Sequence, residues 1–433
     1  MHDPGIDGWT ISSILEAAQR SSSARFTFLD IPVLELDALP EAFCEIIHLE
    51  DLILSGTNIT TLPDACEQLI KLKRLALNGT QITTVPPVVS RLFQLESLRL
   101  DHTKIDGLPA ELVNLDALKS LNLSHTNLHV FPDVIRAFRH VEYLDLSHTQ
   151  ITTLPDWIGE LRKLRQLDLS HTNINLLPSM LANFAHLQRL NIQHTQTTML
   201  PADMLVLPAL THLDIGHTAI QHLPPTITAC QQLEELTIEH TAIADLPAGI
   251  GVLAHLQLLN LNHTRIDCLP DSIGDLRQLE TLELSGTAIR VLPSTISNLT
   301  ALNRLGLSLS AITEVPPVIH YLKQLTILDL RYTAITVIPD AVADLENLTV
   351  LYLADTLIRD LPSFVCRLPK LNVLDLQNTA LTRLPDEIFS MRLMFLSIGG
   401  TIFHPRNDKR DQIMWYHEAI TAYRAWLEQQ KPE

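Results

Sequence analysis

Residues 141–163 read VEYLDLSHTQITTLPDWIGELRK, and residues 164–186 read LRQLDLSHTNINLLPSMLANFAH. Both segments follow the phrase Leu-x-x-Leu-x-Leu-x-x-Thr-x-Ile-x-x-Leu-Pro, with Val141 replacing the first leucine in the first segment. The phrase returns every 23 residues, at Leu49, Leu72, Leu95, Leu118, Val141, Leu164, Leu187, Leu210, Leu233, Leu256, Leu279, Leu302, Leu325, Leu348 and Leu371. A degenerate copy begins at Phe26 and a last copy at Leu393, which makes 17 repeats. A period of this length predicts a solenoid.

Each repeat is predicted to contain one strand and one short helical turn. Around Leu144 and Leu146, apolar and polar residues alternate, as in a strand with one buried face. After Pro155, apolar residues recur every three positions, which predicts a short helix or 3₁₀ turn with proline near its start. Because every strand returns by the same crossover, the strands must be parallel. The sequence therefore predicts an α/β solenoid, with a parallel sheet on a concave face and short helices or 3₁₀ turns on a convex face.

The residue after the strand is Thr or Ser in 16 of the 17 repeats, and only Leu34 departs. A hydroxyl at this position can satisfy backbone groups where the chain leaves the strand. We interpret the column as a structural ladder, which begins with Thr57, Thr80, Thr103, Thr126, Thr149 and Thr172 and ends at Thr401, with Ser310 as its one serine.

This pattern resembles the leucine-rich repeat superfamily. It is most similar to the 23-residue intracellular type of Ras-scaffold proteins, plant Ras-group-related proteins and some bacterial effectors. Residues 284–293, LSGTAIRVLP, also resemble the repeats of plant immune receptors. The resemblance covers residues 26 to 403 and departs from most families by placing Thr where they place Asn. It implies a horseshoe that binds proteins on its concave face, and it does not identify the partner.

We expect a repeat domain over residues 26–403 with a helical cap at each end. Residues 1–25 contain a predicted N-terminal capping helix, over 10–19, and residues 404–433 contain a C-terminal one, over 408–430. The apolar residues of the second helix recur at helical spacing, at Ile413, Tyr416, Ile420, Tyr423 and Leu427. Such a helix is expected to shield the last repeat. Docking of a partner against this helix is the alternative.

The charge of the chain excludes several classes of partner. The formal net charge is −18, and the pI is near 5.4. A nucleic-acid-binding protein needs a basic footprint, and an anionic membrane surface attracts basic segments, so neither is expected as a partner. The sequence also has no apolar run of about 18 residues, the length that a membrane-spanning helix needs.

The cysteines and the motifs bear on compartment and catalysis. Cys44, Cys66, Cys230, Cys268 and Cys366 are scattered and form no Cys-x-x-Cys pair. We therefore expect a reducing compartment and a cytoplasmic monomer. The first ten residues show no secretory leader. No catalytic motif is present and about 30 residues follow the last repeat, so neither an enzyme activity nor a cofactor is expected.

A column of histidines is the most unusual surface feature. Histidine precedes the threonine in eight consecutive repeats, at His102, His125, His148, His171, His194, His217, His240 and His263. The rings should lie about 5 Å apart and stay mostly neutral at pH 7, because eight imidazolium ions at that spacing would repel each other. We favour a stacked ladder that holds loop carbonyls. A protein-contact stripe and a metal or anion site remain alternatives.

Two further columns lie on the predicted concave face. An acidic column contains Asp145, Asp168, Asp214, Glu283, Asp329 and Asp375, with Asn122, Asn191 and Asn260 between them and Arg99 as an exception. It is either an ordinary solvated face or a groove for a basic segment. An apolar column contains Ile327, Val350, Val373 and Phe395, flanked by Leu309, Tyr332 and Tyr352. Earlier members of that column are mostly polar: Ser97, Ser120, Gln166, Arg189, His212 and Glu235, with Tyr143 and Leu258 as exceptions.

These observations predict a non-enzymatic recognition scaffold. The expected partner is a protein with a basic or apolar segment. Its predicted site consists of Tyr332, Val350, Tyr352, Val373 and Phe395, with Asp329 and Asp375 orienting a basic group. The alternative is a secreted bacterial effector that binds a host protein by the same surface. A more distant alternative is a pH- or metal-responsive module that uses the histidine column.

Overall fold

The computed structural model describes residues 27–31, 36–202, 206–403 and 416–430. By its contacts the chain divides into two compact units, Met1–Thr197 (unit 1) and Thr198–Glu433 (unit 2). The predicted N-terminal cap over residues 1–25 lies outside the described residues.

In its described residues, unit 1 contains eight strands of three residues each. Neighbouring strands are parallel and pair in a register of 23 residues, for example Leu144 with Leu167. The strands are β1 Phe28–Asp30, β2 Asp51–Ile53, β3 Arg74–Ala76, β4 Ser97–Arg99, β5 Ser120–Asn122, β6 Tyr143–Asp145, β7 Gln166–Asp168 and β8 Arg189–Asn191.

The described part of unit 2 contains nine strands of the same length and direction. The register is again 23 residues, except that Val373 pairs with Phe395, where the last repeat is one residue shorter. The strands are β9 His212–Asp214, β10 Glu235–Thr237, β11 Leu258–Asn260, β12 Thr281–Glu283, β13 Arg304–Gly306, β14 Ile327–Asp329, β15 Val350–Tyr352, β16 Val373–Asp375 and β17 Phe395–Ser397.

The core of each unit is made of stacked aliphatic layers. In β6, the middle residue Leu144 points inward, and Leu146, two positions later, is fully buried. The N–H of Leu146 donates to the carbonyl of Asp168 in the next repeat, at 2.9 Å. Burial of an aliphatic side chain contributes roughly 1.5–3 kcal/mol. Because each layer needs its neighbour for that burial, the repeats are stable only as a stack.

Short 3₁₀ helices follow the Leu-Pro pairs. Proline fixes φ near the helical value, as at Pro63 with φ of −61°, and its carbonyl accepts the first i→i+3 bond, from Cys66 N–H at 3.1 Å. In unit 1 these helices are Glu41–Glu45, Asp64–Gln68, Pro87–Arg91, Ala110–Asn114, Asp133–Ala137, Asp156–Glu160 and Ser179–Asn183. In unit 2 they are Pro225–Ala229, Ile250–Val252, Asp271–Asp275, Ser294–Asn298, Pro317–Tyr321, Asp340–Asp344, Val365–Arg367 and Asp386–Ser390. The predicted parallel strands and short turns are thus confirmed.

A longer helix, α1 (Tyr416–Gln429), follows the repeats and packs on β17. Ile420 and Tyr423 are buried, and the Tyr423 hydroxyl both accepts the Leu384 N–H and donates to the Leu384 carbonyl, each at 3.0 Å. The Phe403 ring meets Tyr423 edge-on at 5.0 Å. The helical C-terminal cap is confirmed, although residues 404–415 of its predicted range lie outside the described part of the chain.

Two of the five cysteines are paired in the structure. Cys44 and Cys66 form a disulfide with an S–S distance of 2.06 Å. They are 22 residues apart, so the repeat brings them to neighbouring positions with a Cα–Cα distance of 4.5 Å. The absence of a Cys-x-x-Cys pair did not exclude this disulfide, because residues one repeat apart in the sequence are neighbours in a solenoid. The inference of a reducing compartment therefore loses its basis, and the compartment stays a prediction.

Candidate functional site

The threonine column forms a buried hydrogen-bond ladder. Its hydroxyls donate to the carbonyl three residues earlier, with Thr172 Oγ1 at 2.7 Å from Leu169 O. The same bond, at 2.6–2.8 Å, is made by Thr57, Thr80, Thr103, Thr126, Thr149, Thr172, Thr195, Thr218, Thr241, Thr264, Thr287, Ser310, Thr333, Thr356, Thr379 and Thr401. All sixteen residues are buried. The hydroxyl thus satisfies a carbonyl at the strand exit that the sheet leaves unpaired.

The residue before each threonine has a left-handed backbone. All eight histidines of the column have φ between 52° and 56°. The same conformation occurs at Gly56, Gly79, Gly286, Leu309, Tyr332, Asp355, Asn378 and Gly400. Positive φ is unfavourable for most L-residues, and it is commonest for Gly and then for Asn, Asp and His. The mixture of Gly, Asp and Asn with His in one column is the sequence signal for a left-handed backbone at this position. This backbone was not predicted from the sequence.

The histidine rings stack on one another within each unit. In unit 1, consecutive rings from His102 to His194 have centroids 3.9–4.2 Å apart and planes within 11–17°. In unit 2, His217, His240 and His263 stack at 4.2 and 4.3 Å. A Cβ added to Gly286 would lie 2.4 Å from His263 Nδ1, so the glycine leaves room for the last ring.

The predicted loop carbonyls are held by the histidine backbones. The N–H of His102 donates to Ser124 O at 2.9 Å, and that of His148 donates to Ser170 O at 2.9 Å. The imidazoles contact one another and leave their outer edges exposed. The ladder therefore presents a row of ring edges to solvent.

The surroundings of two rings in the ladder favour their neutral form. Burial lowers the pKa of His125 and of His171, and charge on the adjacent histidines lowers the pKa of each further. Asp145 and Asp101 act in the opposite direction on His125. In the part of the chain that the structure describes, no group of three or more His, Cys, Asp or Glu is arranged to hold a metal ion.

The acidic column serves the backbone of its own strands. Asp145 Oδ1 accepts the N–H of Ser147 at 2.9 Å, and Asp168 Oδ1 accepts that of Ser170 at 2.9 Å. Asp or Asn makes this bond to the residue two positions later at Asn122, Asp145, Asp168, Asn191, Asp214, Asn260, Asp329 and Asp375. Side chains of this length commonly form such local turns. Burial also raises the pKa of Asp145 and of Asp375. These carboxylates thus have a structural role within the strand exit.

Glu283 and Arg99 interrupt that column. Glu283 bonds Arg304, and Arg99 Nε lies 3.2 Å from Asp101 Oδ1. The Arg304 guanidinium is thus paired within unit 2, and the Arg99 guanidinium is paired within unit 1.

The outward side of the sheet in unit 2 is called the strand face here. The apolar column forms a continuous stripe on it. Ile327, Val350, Val373 and Phe395 are the first residues of β14 to β17 and pair with one another in register. All four are partly exposed. Tyr332 and Leu309, in the left-handed column beside this stripe, are 54% and 52% exposed. The structure therefore brings together the apolar residues that the sequence predicted as a binding site.

The predicted acidic residues of this site have different surroundings. The Asp329 side chain is 3% exposed and lies under Arg331, whose Nη2 and Nε donate to it at 2.6 and 2.9 Å. The Arg331 guanidinium in turn lies 4.4 Å from the ring centroid of Tyr352. Asp329 is thus bonded within the protein. It is not available to orient a partner's basic group, which is the role predicted for it from the sequence. Asp375 is partly exposed and stays a candidate for that role.

Helix α1 packs on β17, the strand that also carries Phe395 at the end of the stripe. Tyr423 bonds the backbone of Leu384, and its ring neighbours are Phe389, Phe403 and Trp426. In the part of the chain that the structure describes, no helix is long and apolar enough to cross a membrane.

Comparison with known families identifies the fold. Models described as "Leucine rich repeat" match residues 70–128, 93–151, 128–174 and 300–358. A "Leucine-rich repeat region" model matches residues 248–308, and a model of two leucine-rich repeats matches 346–388. The chain belongs to the leucine-rich repeat proteins, a class of fold typical of protein–protein interaction scaffolds and generally non-catalytic.

Solved structures show the same architecture. A leucine-rich repeat protein of Leptospira interrogans has a TM-score of 0.83 and 26% identity, and the match covers 90% of this chain and 97% of that one. The functional domain of InlJ from Listeria monocytogenes, which includes a cysteine ladder, gives 0.61 and 22%, covering 84% and 72%. The plant peptide hormone receptor RGFR1, in complex with RGF2, gives 0.67 and 21%, covering 87% and 70%. A search of curated protein sequences finds no match.

Proposed function

We propose that this protein is a non-enzymatic recognition scaffold that binds a protein partner through the strand face of unit 2. The observation that carries the proposal is the apolar stripe of Ile327, Val350, Val373 and Phe395. These side chains stand side by side on four consecutive strands and are partly exposed. An apolar cluster on an otherwise polar surface is typical of a binding site.

The geometry around Tyr352 supports a preorganised site. Arg331 is bound to Asp329 and stacks on the Tyr352 ring, which restricts both side chains before any partner arrives. Side chains that are already ordered lose little entropy on binding. Tyr352 pairs in register with Asp329 and Asp375, and it lies two positions after Val350 on the same strand. A partner segment with apolar side chains would bury the stripe and the Tyr352 ring, and Asp375 would meet any basic group that it carries.

The double substitution Tyr352→Ala with Phe395→Ala tests the proposal. A partner is first captured on wild-type protein, and its affinity is then measured by calorimetry. Loss of two aromatic contacts at the centre of a site should weaken binding by about 30-fold or more, since one such anchor contributes about 2 kcal/mol or more. Tyr352→Ala alone provides a second variant that spares the packing of β17.

Controls on the other side of the repeats complete the test. Lys163 and Arg277 lie in the turns between the 3₁₀ helices and the strands. Lys163→Ala and Arg277→Ala should leave the affinity unchanged. Wild-type affinity in a folded double variant would reject the site. Partner loss in the control variants would place the binding surface elsewhere.

A second candidate is an exported recognition protein that acts on a host or neighbouring cell. The Cys44–Cys66 disulfide favours it, because disulfides persist in oxidising compartments. Mass spectrometry of alkylated protein from separated cell fractions tests it. A disulfide found only in the exported fraction supports export, whereas free thiols at both positions in a cytoplasmic pool support the cytoplasmic assignment.

A further inference from the structure

The apolar stripe on the strand face of unit 2 has a regular spacing. Ile327 pairs with Val350, Val350 pairs with Val373, and Val373 pairs with Phe395, each without a stagger between strands. The four side chains therefore form a line that crosses the strands, with a step of about 4.8 Å from one strand to the next. A partner segment that buries the whole stripe must place one apolar side chain over each strand.

The backbones of the strands under the stripe are bonded to their neighbours. β14, β15 and β16 each pair with a strand on both sides. An extended partner segment laid across them would bury its own N–H and C=O groups against hydrocarbon side chains, where these groups would lack partners. An α-helix satisfies its backbone hydrogen bonds internally. The strand face therefore favours a helix over an extended segment.

The spacing of the stripe also favours a helix. One turn of an α-helix rises about 5.4 Å, so about one turn lies over each strand. The two periods differ by about 0.6 Å per strand, or about 2 Å over the stripe, which changes of side-chain rotamer can absorb. Side chains on one face of an extended segment recur about every 6.7 Å, so they would be out of step by nearly 6 Å over the same distance.

The two sides of the stripe differ in charge. The positions just before the stripe residues carry Thr326, Thr349 and Asn372, which are uncharged. On the other side, toward the strand exits, Asp355 and Asp375 are partly exposed. A helix that lies on the stripe would therefore meet carboxylates along one of its flanks and neutral polar groups along the other.

The two carboxylates accept hydrogen bonds from uncharged groups. Asp355 Oδ1 accepts a side-chain N–H of Asn378 at 2.7 Å, and Asp375 Oδ1 accepts the backbone N–H of Gln377 at 3.2 Å. Arg331, a cation that acts on Asp375, is held in an ion pair of its own. Burial raises the pKa of the Asp375 carboxyl, and a further cation beside it would favour its charged form. This side of the stripe thus complements a basic group.

We propose, on the basis of the recognition function assigned above to the strand face, that the partner binds there as an amphipathic α-helix with a basic flank. Its apolar side chains lie over the stripe, and its Lys or Arg side chains face Asp355 and Asp375. The stripe is about 14 Å long, so about ten residues of helix cover it. The apolar positions of such a helix are i, i+4, i+7 and i+11.

The experiment uses the full-length protein and a displayed library of random peptides. Peptides of about 16 residues are long enough for the bound helix and its ends. Clones are selected on wild-type protein and depleted on the Tyr352→Ala with Phe395→Ala variant, so that the clones kept depend on the stripe. Their sequences should carry apolar residues at helical spacing, with Lys or Arg concentrated on one adjoining flank.

Two changes to a selected peptide test the helix. Proline in its middle should weaken binding by about 30-fold or more, because proline disrupts a helix interior. A peptide of the same composition, with its apolar residues at alternate positions, has the pattern of an extended segment. It should bind at least about 10-fold more weakly. Fluorescence anisotropy measures each affinity.

Two substitutions in the protein test the basic flank. Asp355→Asn with Asp375→Asn should weaken a selected peptide by about 3- to 10-fold, the size expected for two partly exposed ion pairs. Asn378 has the same left-handed backbone as Asp355, and Asn260 makes the same local bond as Asp375, so the fold accepts both changes. Asp340→Asn, at the exposed start of a 3₁₀ helix, is the matched control and should leave the affinity unchanged.

The outcomes separate this proposal from the recognition function beneath it. Stripe-dependent peptides that carry apolar residues at alternate positions and tolerate proline would overturn the helix and leave the site intact. Helical peptides without basic residues, which bind the Asp355→Asn with Asp375→Asn variant as tightly as wild type, would overturn the basic flank. If no stripe-dependent clone is enriched, the strand face of unit 2 is not the recognition surface, and both proposals fail.

Discussion

His148 in unit 1 and Leu309 in unit 2 occupy the same position of their repeats and have nearly the same backbone, with φ of 54° and 56°. The His148 ring lies between two other rings, at 3.9 and 4.0 Å. The Leu309 side chain is 52% exposed, and Tyr332, one repeat later, is 54% exposed. The left-handed turn and the threonine that follows it are thus common to both regions, whereas the side chains on them are not. Differences of function must arise from the variable columns.

The strand faces of the two regions differ in the same way. Beside the histidine ladder, the first strand positions carry Ser120 and Gln166, with Tyr143 between them. Beside Leu309 and Tyr332, the equivalent positions carry the apolar stripe of Ile327, Val350, Val373 and Phe395. Because the frame is the same, substitutions in the frame should have equal effects in both regions, and substitutions on the surface columns should not.

The first pair of substitutions tests the shared frame. Thr172→Val and Thr333→Val each remove a hydroxyl that donates to a carbonyl, at 2.7 and 2.6 Å, and both residues are buried. Each should lower the free energy of unfolding by about 1–3 kcal/mol, the cost of a buried carbonyl left without its partner. Urea unfolding measures both. Equal losses support one frame, whereas an unchanged midpoint and m-value in either variant would contradict the ladder.

A second pair of substitutions tests the end of the ladder. Gly79 and Gly286 both have φ of 69°, so Gly→Ala should destabilise each by about 1–2 kcal/mol. A Cβ at Gly79 meets only the Gly56 backbone at 3.5 Å, whereas at Gly286 it would lie 2.4 Å from His263 Nδ1. Gly286→Ala must also move the His263 ring out of its stack with His240. The loss of that stack should cost about 0.5–1.5 kcal/mol more.

Thermal unfolding of both glycine variants measures this difference. In a His263→Asn background, Gly286→Ala should have the same effect as Gly79→Ala. If the two variants already agree in the presence of His263, the ring does not occupy the space above Gly286.

The same substitution should have opposite signs in the two regions. His148→Asn removes two ring stacks and should destabilise by about 1 kcal/mol. Leu309→Asn places a residue that tolerates positive φ where an exposed leucine now stands, and it should stabilise by up to about 1 kcal/mol. Chemical denaturation of both variants is the measurement. Changes of the same sign would show that the backbone, rather than the side-chain environment, determines the energy of this column.

Much of the fold follows from the sequence because the relevant signals are local. Alternation around Leu144 predicts the strand, and Pro63 predicts the 3₁₀ turn through its fixed φ. The left-handed backbone before each threonine was not predicted. Eight of the residues there are histidines, so the Gly, Asp and Asn residues that indicate positive φ are a minority of the column. The pattern of residue types was in the sequence, and the backbone requirement needed the structure.

The candidate site was predicted in composition more than in detail. The apolar stripe follows from the register of 23, which places Val350 beside Val373. The role of Asp329 was not predicted. Asp329 and Asp375 were expected to orient a partner's basic group, the rest of the acidic column was left as a solvated face or a groove, and bonds within the strand exit were not considered. Arg331 lies two positions after Asp329, in the turn that follows the strand, and its guanidinium donates to the carboxylate. The repeat period also implied the Cys44–Cys66 contact, although their spacing is one residue short of it.

The smallest expected effect is a difference in pH dependence between the regions. The pKa values of His125 and His171 are lowered in the fold, so the unfolded chain binds more protons near pH 6. Stability from these rings is therefore fully present above the unfolded value of about 6.5 and is lost as pH falls below it. The carboxyl groups of Asp145 and Asp375 have raised pKa values, and their contribution has the opposite sign at lower pH. Measurement between about pH 5.5 and 7.5 brackets the histidine transition, and a comparison of wild type with a variant that lacks both rings but keeps both carboxyl groups separates the two effects. In that window the free energy of unfolding should rise with pH.

The rise should be smaller in His125→Asn with His171→Asn and unchanged in His129→Asn, which alters an exposed histidine outside the column. A double variant with the wild-type slope would show that the ladder does not titrate as a stacked row.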